Sequence, residues 1–281
     1  KISLTAKMEN YKKRIQQAFN TRASSYDEYS VAQREVGRRM IERLDLLKFK
    51  PSNILDLGSG TGYLAELLLS KFPTSNITCL DLAENMLLEC REKIPNSNLI
   101  VSDIESMPFG PESFDLIISS FTLHWCEEIE KIFYDIRKSL KNDGIFMFTT
   151  VGPNTLRELQ EAYTYIDIEQ HVNSFTDMHM YGDSLLKCGF DDPVMDMEEI
   201  IVEYSSFRGV LNSLKKTGAN TVIGQEPSYI SKKSYIELSN VYPKNDDNGK
   251  FPVTYEMIYG MSWKRVKKTN DNPKVIPIKK I

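Results

Sequence analysis

The sequence predicts an α/β protein built on a doubly wound, mostly parallel sheet. Apolar strand-like runs alternate with helical patterns from residue 54 to residue 151, as parallel strands joined by crossover helices require. The first strand enters a turn with glycine at Gly58, Gly60 and Gly62 before a helix begins, so the backbone there must approach something closely. Asp81 then ends the second strand roughly 20 residues on, the place of a ribose-binding carboxylate in such sheets.

The elements follow in order. Residues 6–47 read as helical: Ile15, Ala18 and Phe19, then Val36, Met40, Ile41 and Leu44, recur around a polar aromatic segment at 22–29, and Pro51 closes the region. Strand 54–57, helix 63–72, strand 77–82, helix 84–93 and short strand 99–101 come next. Strand 114–119, helix 127–140 and strand 145–151 follow, the last after the turn at Asn142, Asp143 and Gly144. Beyond residue 152 the pattern changes. Helices are expected at 154–166, 178–188, 207–216 and 231–241, and strands at 195–204 and 253–261, with a turn at 245–249. Residues 206–250 therefore read as a helical insertion before the last strand. The expectation is one domain over 1–265: an N-terminal helical lid at 6–47, a cofactor-binding core at 52–151, and substrate-side elements with the insertion at 152–250. Residues 266–281, rich in lysine, asparagine and proline, read as a flexible tail.

Composition narrows the function classes. With 35 basic and 39 acidic residues the net charge is −4, which does not suggest nucleic acid as a partner. No apolar run approaches the ~18–20 residues of a membrane span, and no signal-peptide core is visible. The chain opens on Lys1 rather than methionine and is expected to be trimmed. Cys79, Cys90, Cys126 and Cys188 are scattered without a C-x-x-C pair, which reads as reduced thiols in the cytoplasm. His124, His171 and His179 make no metal-ligand pattern with them, so no metal is expected.

Ligands of such sheets bind at the carboxyl ends of the strands. The turn from Asp56 to Gly62 reads D-x-G-x-G-x-G; its third glycine comes one position too early for the dinucleotide fingerprint. It looks instead like the first motif of S-adenosylmethionine-dependent methyltransferases, whose cofactor carries a carboxylate that free N–H groups at a helix N-terminus can hold. Asp81 then suits the two ribose hydroxyls, with a cap for the helix at residue 84 as the rival reading. Asp103 suits the adenine amino group and Ile104 the ring face, against an ordinary turn. Met86 packs on the other face of the adenine or belongs to the core. Asp56 faces the methionyl ammonium through water or stabilises the turn. Ser59 and Leu82 complete this set. Ser119 and Phe121, at the end of the fourth strand, are expected to line the methyl-donor pocket. The rings of Phe121 and Trp125 would favour a sulfonium by roughly 0.5–2 kcal/mol, unless they are core.

Further matches extend over about residues 14–264. The run Ala18-Phe19-Asn20-Thr21-Arg22-Ala23-Ser24-Ser25-Tyr26 resembles an N-terminal signature A-F-x-x-A/R-A-x-x-Y. Asp103–Pro108, Leu123–Cys126, Gly152–Leu159, His171–Asn173, Asp191–Asp196, Leu214–Asn220 and Phe251–Tyr255 fit the same family. The chain thus resembles the malonyl-[acyl-carrier protein] O-methyltransferases of biotin synthesis. A sister family, the methyltransferase-fold arginine hydroxylases that assist respiratory complex I assembly, shares a T-x-x-E-L segment and a closing P-x-T-Y strand; a small-molecule methyltransferase is a further alternative. Leu214–Asn220 and His171–Asn173 favour the biotin branch.

The resemblance implies a class I methyltransferase, Rossmann-like fold and methyl transfer from S-adenosylmethionine to the carboxylate of a malonyl thioester, on carrier protein or coenzyme A. Such a carboxyl ionises at or below ~4, so no general base is needed and a neutral donor must hold the carboxylate without over-stabilising it. Tyr26 is the first candidate, against an aromatic staple between helices. His124 could donate, or simply start a helix. Arg157 could offer a forked contact, or lie solvated on a helix surface. Thr155 and Glu158 line the site or begin that helix. An acidic carrier protein, docking transiently, would need a basic face; Lys12-Lys13-Arg14, Arg34 with Arg38-Arg39, and Lys215-Lys216 are the clusters available, with the pairs at 267–268 and 279–280 as weaker ones.

Overall fold

The computed structural model describes residues 4–166, 171–218 and 231–265, with side chains from Tyr11 onward. The expected tail at 266–281 with its lysine pairs, and Asn220 of the motif beginning at Leu214, lie outside the described residues.

The N-terminal region forms two helices, α1 (Leu4–Tyr29) and α2 (Val31–Leu44), broken at Ser30. The polar segment expected to interrupt them is itself the last turns of α1. The strands and helices then alternate: β1 (Asn53–Leu57), α3 (Tyr63–Lys71), β2 (Asn76–Asp81), α4 (Glu84–Lys93), β3 (Asn98–Val101), β4 (Phe114–Ser120), α5 (Ile129–Ser139) and β5 (Leu140–Val151). After them come α6 (Arg157–Thr164), α7 (Met178–Lys187), β6 (Asp191–Tyr204), α8 (Phe207–Lys216), α9 (Lys232–Val241) and β7 (Phe251–Lys264). The seven strands of the described residues form one sheet in the order β3-β2-β1-β4-β5-β7-β6. Strands β1 to β5 pair in parallel, and β7 runs antiparallel between β5 and β6.

Two strands depart from expectation. The turn expected at Asn142, Asp143 and Gly144 lies inside β5, which starts at Leu140. A register shift opposite Phe114 and Leu116 absorbs these residues, as a bulge does. Strand β6 begins at Asp191 and runs through Pro193, which an edge strand tolerates because proline's missing N–H is needed by no neighbour.

Alternate strand residues face opposite layers. Leu55, Leu57, Leu80, Ile117, Phe146 and Phe148 pack with α5 and α7 through Phe133, Ile136, Tyr181 and Leu185. Ile54, Cys79, Leu116, Ile118 and Met147 pack with α2, α3 and α4 through Met40, Leu64, Leu68 and Leu87. Both faces are covered, which is why β1 and β4 are nearly continuous apolar runs. Helices α8 and α9 cross between β6 and β7 and add a third cluster around Phe207, Val210, Leu238, Tyr242 and Val253. No helix of the described residues is long and apolar enough to cross a membrane. The carboxyl ends of β1, β2 and β4 open beneath α1.

Candidate active site

Each glycine of the turn after β1 has a positive φ: +71° at Gly58, +53° at Gly60 and +81° at Gly62. A side chain is excluded at two of them for a further reason. A Cβ on Gly58 would lie 2.1 Å from Thr122 Oγ1, and one on Gly62 would lie 2.5 Å from Cys90 Sγ. Gly60 meets nothing within 4 Å on that side and lines a cavity of about 150 Å³. The turn's amides are mostly engaged within the protein. Gly58 and Ser59 both donate to Leu80 O (2.7 and 3.1 Å), Gly62 donates to Ser59 O (2.9 Å), and Gly60 donates to Asp81 Oδ2 (2.8 Å).

Asp81 holds its place through that contact and through Ala83 N, which donates to Oδ1 at 2.8 Å. It therefore does stabilise the entry to α4, but it also lines the cavity. A carboxylate offers about four acceptor positions, so capacity remains for a pair of hydroxyls. Burial raises its pKa, and the backbone N–H groups of Ala83, Gly60 and Leu82 oppose that rise. Asp56, only 1 % exposed, also lines the cavity, and its Oδ2 has no hydrogen-bond partner. Burial, and then the charge of Asp81, push its pKa up to about 8. A buried carboxylate oxygen without a donor is costly, and this one stands in a cavity wall, where a ligand's donor could satisfy it.

At the other end of the cavity, Asp103 Oδ1 accepts from Glu105 N (2.9 Å) and Oδ2 pairs with Lys12 Nζ of α1 (2.7 Å). Ile104, Leu82 and Met86 complete this wall. Met86 is 1 % exposed and packs with Ala23, Ala83, Phe19 and Tyr26, so it is both core and lining. Helix α1 is tied over the cavity: Gln16 Nε2 donates to Leu82 O (2.8 Å), Asn85 N donates to Asn20 Oδ1 (2.9 Å), and Asp27 meets both Thr61 Oγ1 and Lys93 Nζ at 2.5 Å.

Ser119 is not brought to the cavity. It is fully buried and its hydroxyl donates to Leu57 O (2.8 Å); strand alternation hands the lining position to Ser120. Thr122 follows and donates to Ser120 O (3.1 Å) while filling the space left by Gly58. Phe121 between them adopts φ +53°, a strained conformation costing on the order of 1–3 kcal/mol that aims its ring into the site.

A second cavity of about 40 Å³ shares Phe19, Tyr26, Gln33, Phe121 and Trp125 with the first. Its remaining lining is His124, Val151, Thr155, Leu156, Asn173, Phe175, Thr217 and Tyr255. Among the described residues none of these carries a fixed charge. Burial pushes the His124 pKa down to about 3, so the imidazole is neutral, and its Nδ1 is buried without a partner. Burial likewise raises the phenols of Tyr26 and Tyr255. By the space a water needs, this cavity takes roughly three water-sized groups, the size of a carboxylate and its methylene.

The other acceptor candidates separate. Arg157 is not at either cavity: it stands half-exposed on α6 in a two-point pair with Glu199 of β6, its Nη2 at 3.1 Å from Oε2. Glu158 is buried and accepts from Thr254 N (3.1 Å), fastening α6 to β7. Thr155 lines the second cavity, though its hydroxyl bridges the backbone of Glu256. Sequence reasoning covered Ser120 and Thr122 only as members of the run 119–125 at the end of β4, without singling them out, and did not place Asn173 or Tyr255 in the site. Asn173 and Tyr255 were visible only as parts of motifs, because nothing local shows that their elements converge on β4. Among the described residues no group of three or more His, Cys, Asp or Glu could hold a metal.

Sheet order, glycine turn and the carboxylate closing β2 define a class I methyltransferase. The family profile described as "Methyltransferase domain" matches residues 55–148. The malonyl-[acyl-carrier protein] O-methyltransferase of Gallionella capsiferriformans is 38% identical over 92% of this chain and 93% of its own length. That of Laribacter hongkongensis is 38% identical over 90% and 89%. The chain belongs to the malonyl-[acyl-carrier protein] O-methyltransferase family. Among solved structures, Haemonchus contortus phosphoethanolamine N-methyltransferase 2 in complex with S-adenosyl-L-methionine superposes with a TM-score of 0.55 at 19% identity, covering 88% of this chain and 57% of that one; this likeness is one of fold.

Proposed function

We propose that the protein transfers the methyl group of S-adenosylmethionine to the free carboxylate of a malonyl thioester, on acyl-carrier protein or coenzyme A, giving the methyl ester that starts pimeloyl synthesis for biotin. The observation that carries this reading is the pair of adjoining cavities with five lining residues in common: one has the carboxylates a nucleoside amino acid needs, the other is small and lined by neutral groups. The rival readings, an arginine hydroxylase or a small-molecule methyltransferase, are not favoured, since relatives sharing about nine-tenths of the chain are named for the malonyl reaction.

The residues present fit the cofactor, as the orphaned Asp56 Oδ2 and the open side of Gly60 indicate. Asp81 would accept from the ribose hydroxyls, Asp103 and Ile104 would take the adenine with Leu82 and Met86, and Asp56 would face the ammonium. When bound, S-adenosylmethionine supplies an electrophilic methyl on a sulfonium centre. The protein's own contribution is positioning. Tyr26, in the wall between the cavities, donates one neutral hydrogen bond to the acceptor carboxylate, and His124 is placed to donate a second. Neutral donors orient the anion without the ground-state stabilisation of an ion pair. Transfer would need oxygen and methyl carbon in line at roughly 3–3.5 Å with water excluded, and would require no base.

For the carrier, Arg38 and Arg39 are already paired with Glu35, Glu42 and Glu198. Lys215 and Lys216 close α8 beside Thr217, which lines the acceptor cavity. They are our choice for docking an acidic carrier transiently, with affinity that falls as salt rises. The four free thiols fit a cytoplasmic protein. The test is incubation with labelled S-adenosylmethionine and malonyl-carrier protein or malonyl-CoA, reading the methyl ester by mass spectrometry. Cofactor binding without methylation of either thioester would refute the acceptor assignment.

A further inference from the structure

We propose that Arg34 binds the carboxylate of the cofactor's methionyl group, so that Arg34 and Asp56 together read that end of the ligand as a zwitterion; this rests on the S-adenosylmethionine reading above. The sequence suggested that free amides at the N-terminus of α3 would hold this carboxylate. The structure engages the N–H groups of Gly58, Ser59, Gly60 and Gly62 within the protein, so a cationic side chain on the cavity wall would complete the donor set.

Lys12 and Arg34 are the two cations among the described residues lining the cofactor cavity. Lys12 is paired with both Asp103 and Glu105 at the β3 end. Arg34 lies at the opposite end, with its guanidinium carbon 4.7 Å from the centre of the Tyr63 ring, the first residue of α3. Of the arginines along α2, Arg38 pairs with Glu35 and Glu42, Arg39 with Glu35 and Glu198, and Arg43 with Asp196. Arg34 has no carboxylate partner among the described residues. Gly37, one turn further along α2, also lines the cavity, and its missing side chain lets the Tyr63 ring come within 3.4 Å of where a Cβ would be. The ring thus supports the guanidinium from one face, and stacking leaves the in-plane N–H fork free for a carboxylate. The cavity is polarised accordingly: Asp103 and Glu105 where an adenine amino group donates, Arg34 where an α-carboxylate accepts, and the unpartnered Asp56 for the ammonium beside it.

The experiment compares two ligands by calorimetry on wild type and on Arg34→Met, which keeps an apolar stem over Tyr63. S-adenosylhomocysteine carries the amino-acid end; 5′-methylthioadenosine has the same nucleoside and sulfur without it. The expected result is an affinity for S-adenosylhomocysteine reduced at least tenfold in the variant, with 5′-methylthioadenosine changed less than twofold and Arg34→Lys intermediate. Equal losses for both ligands would show a merely structural role and overturn the proposal. So would an unchanged affinity for S-adenosylhomocysteine, including the case in which only the KM for the malonyl thioester rises. Failure of wild type to bind either nucleoside would remove the cofactor reading itself, and this proposal with it. A wild type that binds both but methylates no malonyl thioester would remove only the acceptor assignment, leaving the Arg34 comparison as the judge of this one.

Discussion

Lys12 on α1 reaches Asp103 at the end of β3 with a 2.7 Å ion pair, and the same ammonium contacts Glu105 at 2.6 Å. The N-terminal helix is therefore fastened to the far end of the cavity by charge and to the near end by Asp27, through Thr61 and Lys93. Partly exposed pairs of this kind contribute roughly 0.2–1 kcal/mol each. Lys12→Ala is expected to weaken S-adenosylhomocysteine binding by a few-fold and to speed amide exchange across α1, with the core strands unchanged. Unaltered exchange in α1 would mean that apolar contacts alone seat the helix.

Asp56 is expected to make cofactor affinity depend on pH. Its folded pKa, raised to about 8 by burial, lies above its unfolded value near 4. In the ligand-free protein the folded state thus binds the extra proton between those values, so Asp56's contribution to stability is full below about pH 4 and is lost as pH rises through 8. An ammonium facing Asp56 favours the carboxylate, so S-adenosylhomocysteine should bind more tightly as pH rises from 6 toward 8. Asp56→Asn should flatten both the fall in ligand-free Tm and the rise in affinity, as melts and calorimetry across pH 5–9 would show. A pH-independent affinity in wild type would place the ammonium elsewhere.

Much of this site was legible because its signals are local. The glycine turn, Asp81 and Asp103 sit at strand ends that hydrophobic alternation locates, and the positive φ at Gly58, Gly60 and Gly62 is the demand glycine meets. What was not legible depends on which way a strand or helix faces. Ser119 and Ser120 differ by one residue, and only the pleat decides that Ser120 lines the cavity. Arg157 begins α6, yet the helix turns it toward Glu199 rather than inward. Tyr255 comes from the antiparallel β7, whose placement next to β5 no local pattern states. The second cavity is assembled from residues as far apart as Phe19 and Tyr255, and composition is silent about such convergence.

The glycines of the turn should separate into structural and ligand-facing roles. A methyl on Gly58 collides with Thr122 at 2.1 Å, and overpacking of this kind adds typically ~1–3 kcal/mol to the cost of a positive φ. Gly60 has open space on that side, so Gly60→Ala should carry only the backbone cost of about 1–2 kcal/mol while projecting into the cofactor cavity. Gly58→Ala is therefore expected to lower the ligand-free Tm more than Gly60→Ala does. Gly60→Ala, at a temperature where it remains folded, should show a reduced cofactor affinity out of proportion to its stability. Equal Tm losses would show that Thr122 moves aside.

Tyr26 and His124 test the chemistry itself. Tyr26 stands in the wall between the two cavities, so its loss should tell on the acceptor. Tyr26→Phe keeps the ring and removes one neutral donor; a hydrogen bond to a charged group contributes about 1.5–3 kcal/mol, so turnover should fall roughly ten- to a hundredfold while S-adenosylhomocysteine affinity stays within twofold. Equal losses in both would remove Tyr26 from the acceptor role. His124 is already neutral, its pKa pushed down to about 3 by burial, and the malonyl carboxyl ionises at or below ~4. Neither group changes protonation between pH 6 and 9, so kcat at saturating cofactor and acceptor should be flat across that range. A rise in kcat with an apparent pKa near 6.5 would instead reveal a histidine acting as a base. That result would contradict catalysis by placement of an acceptor that is a nucleophile already.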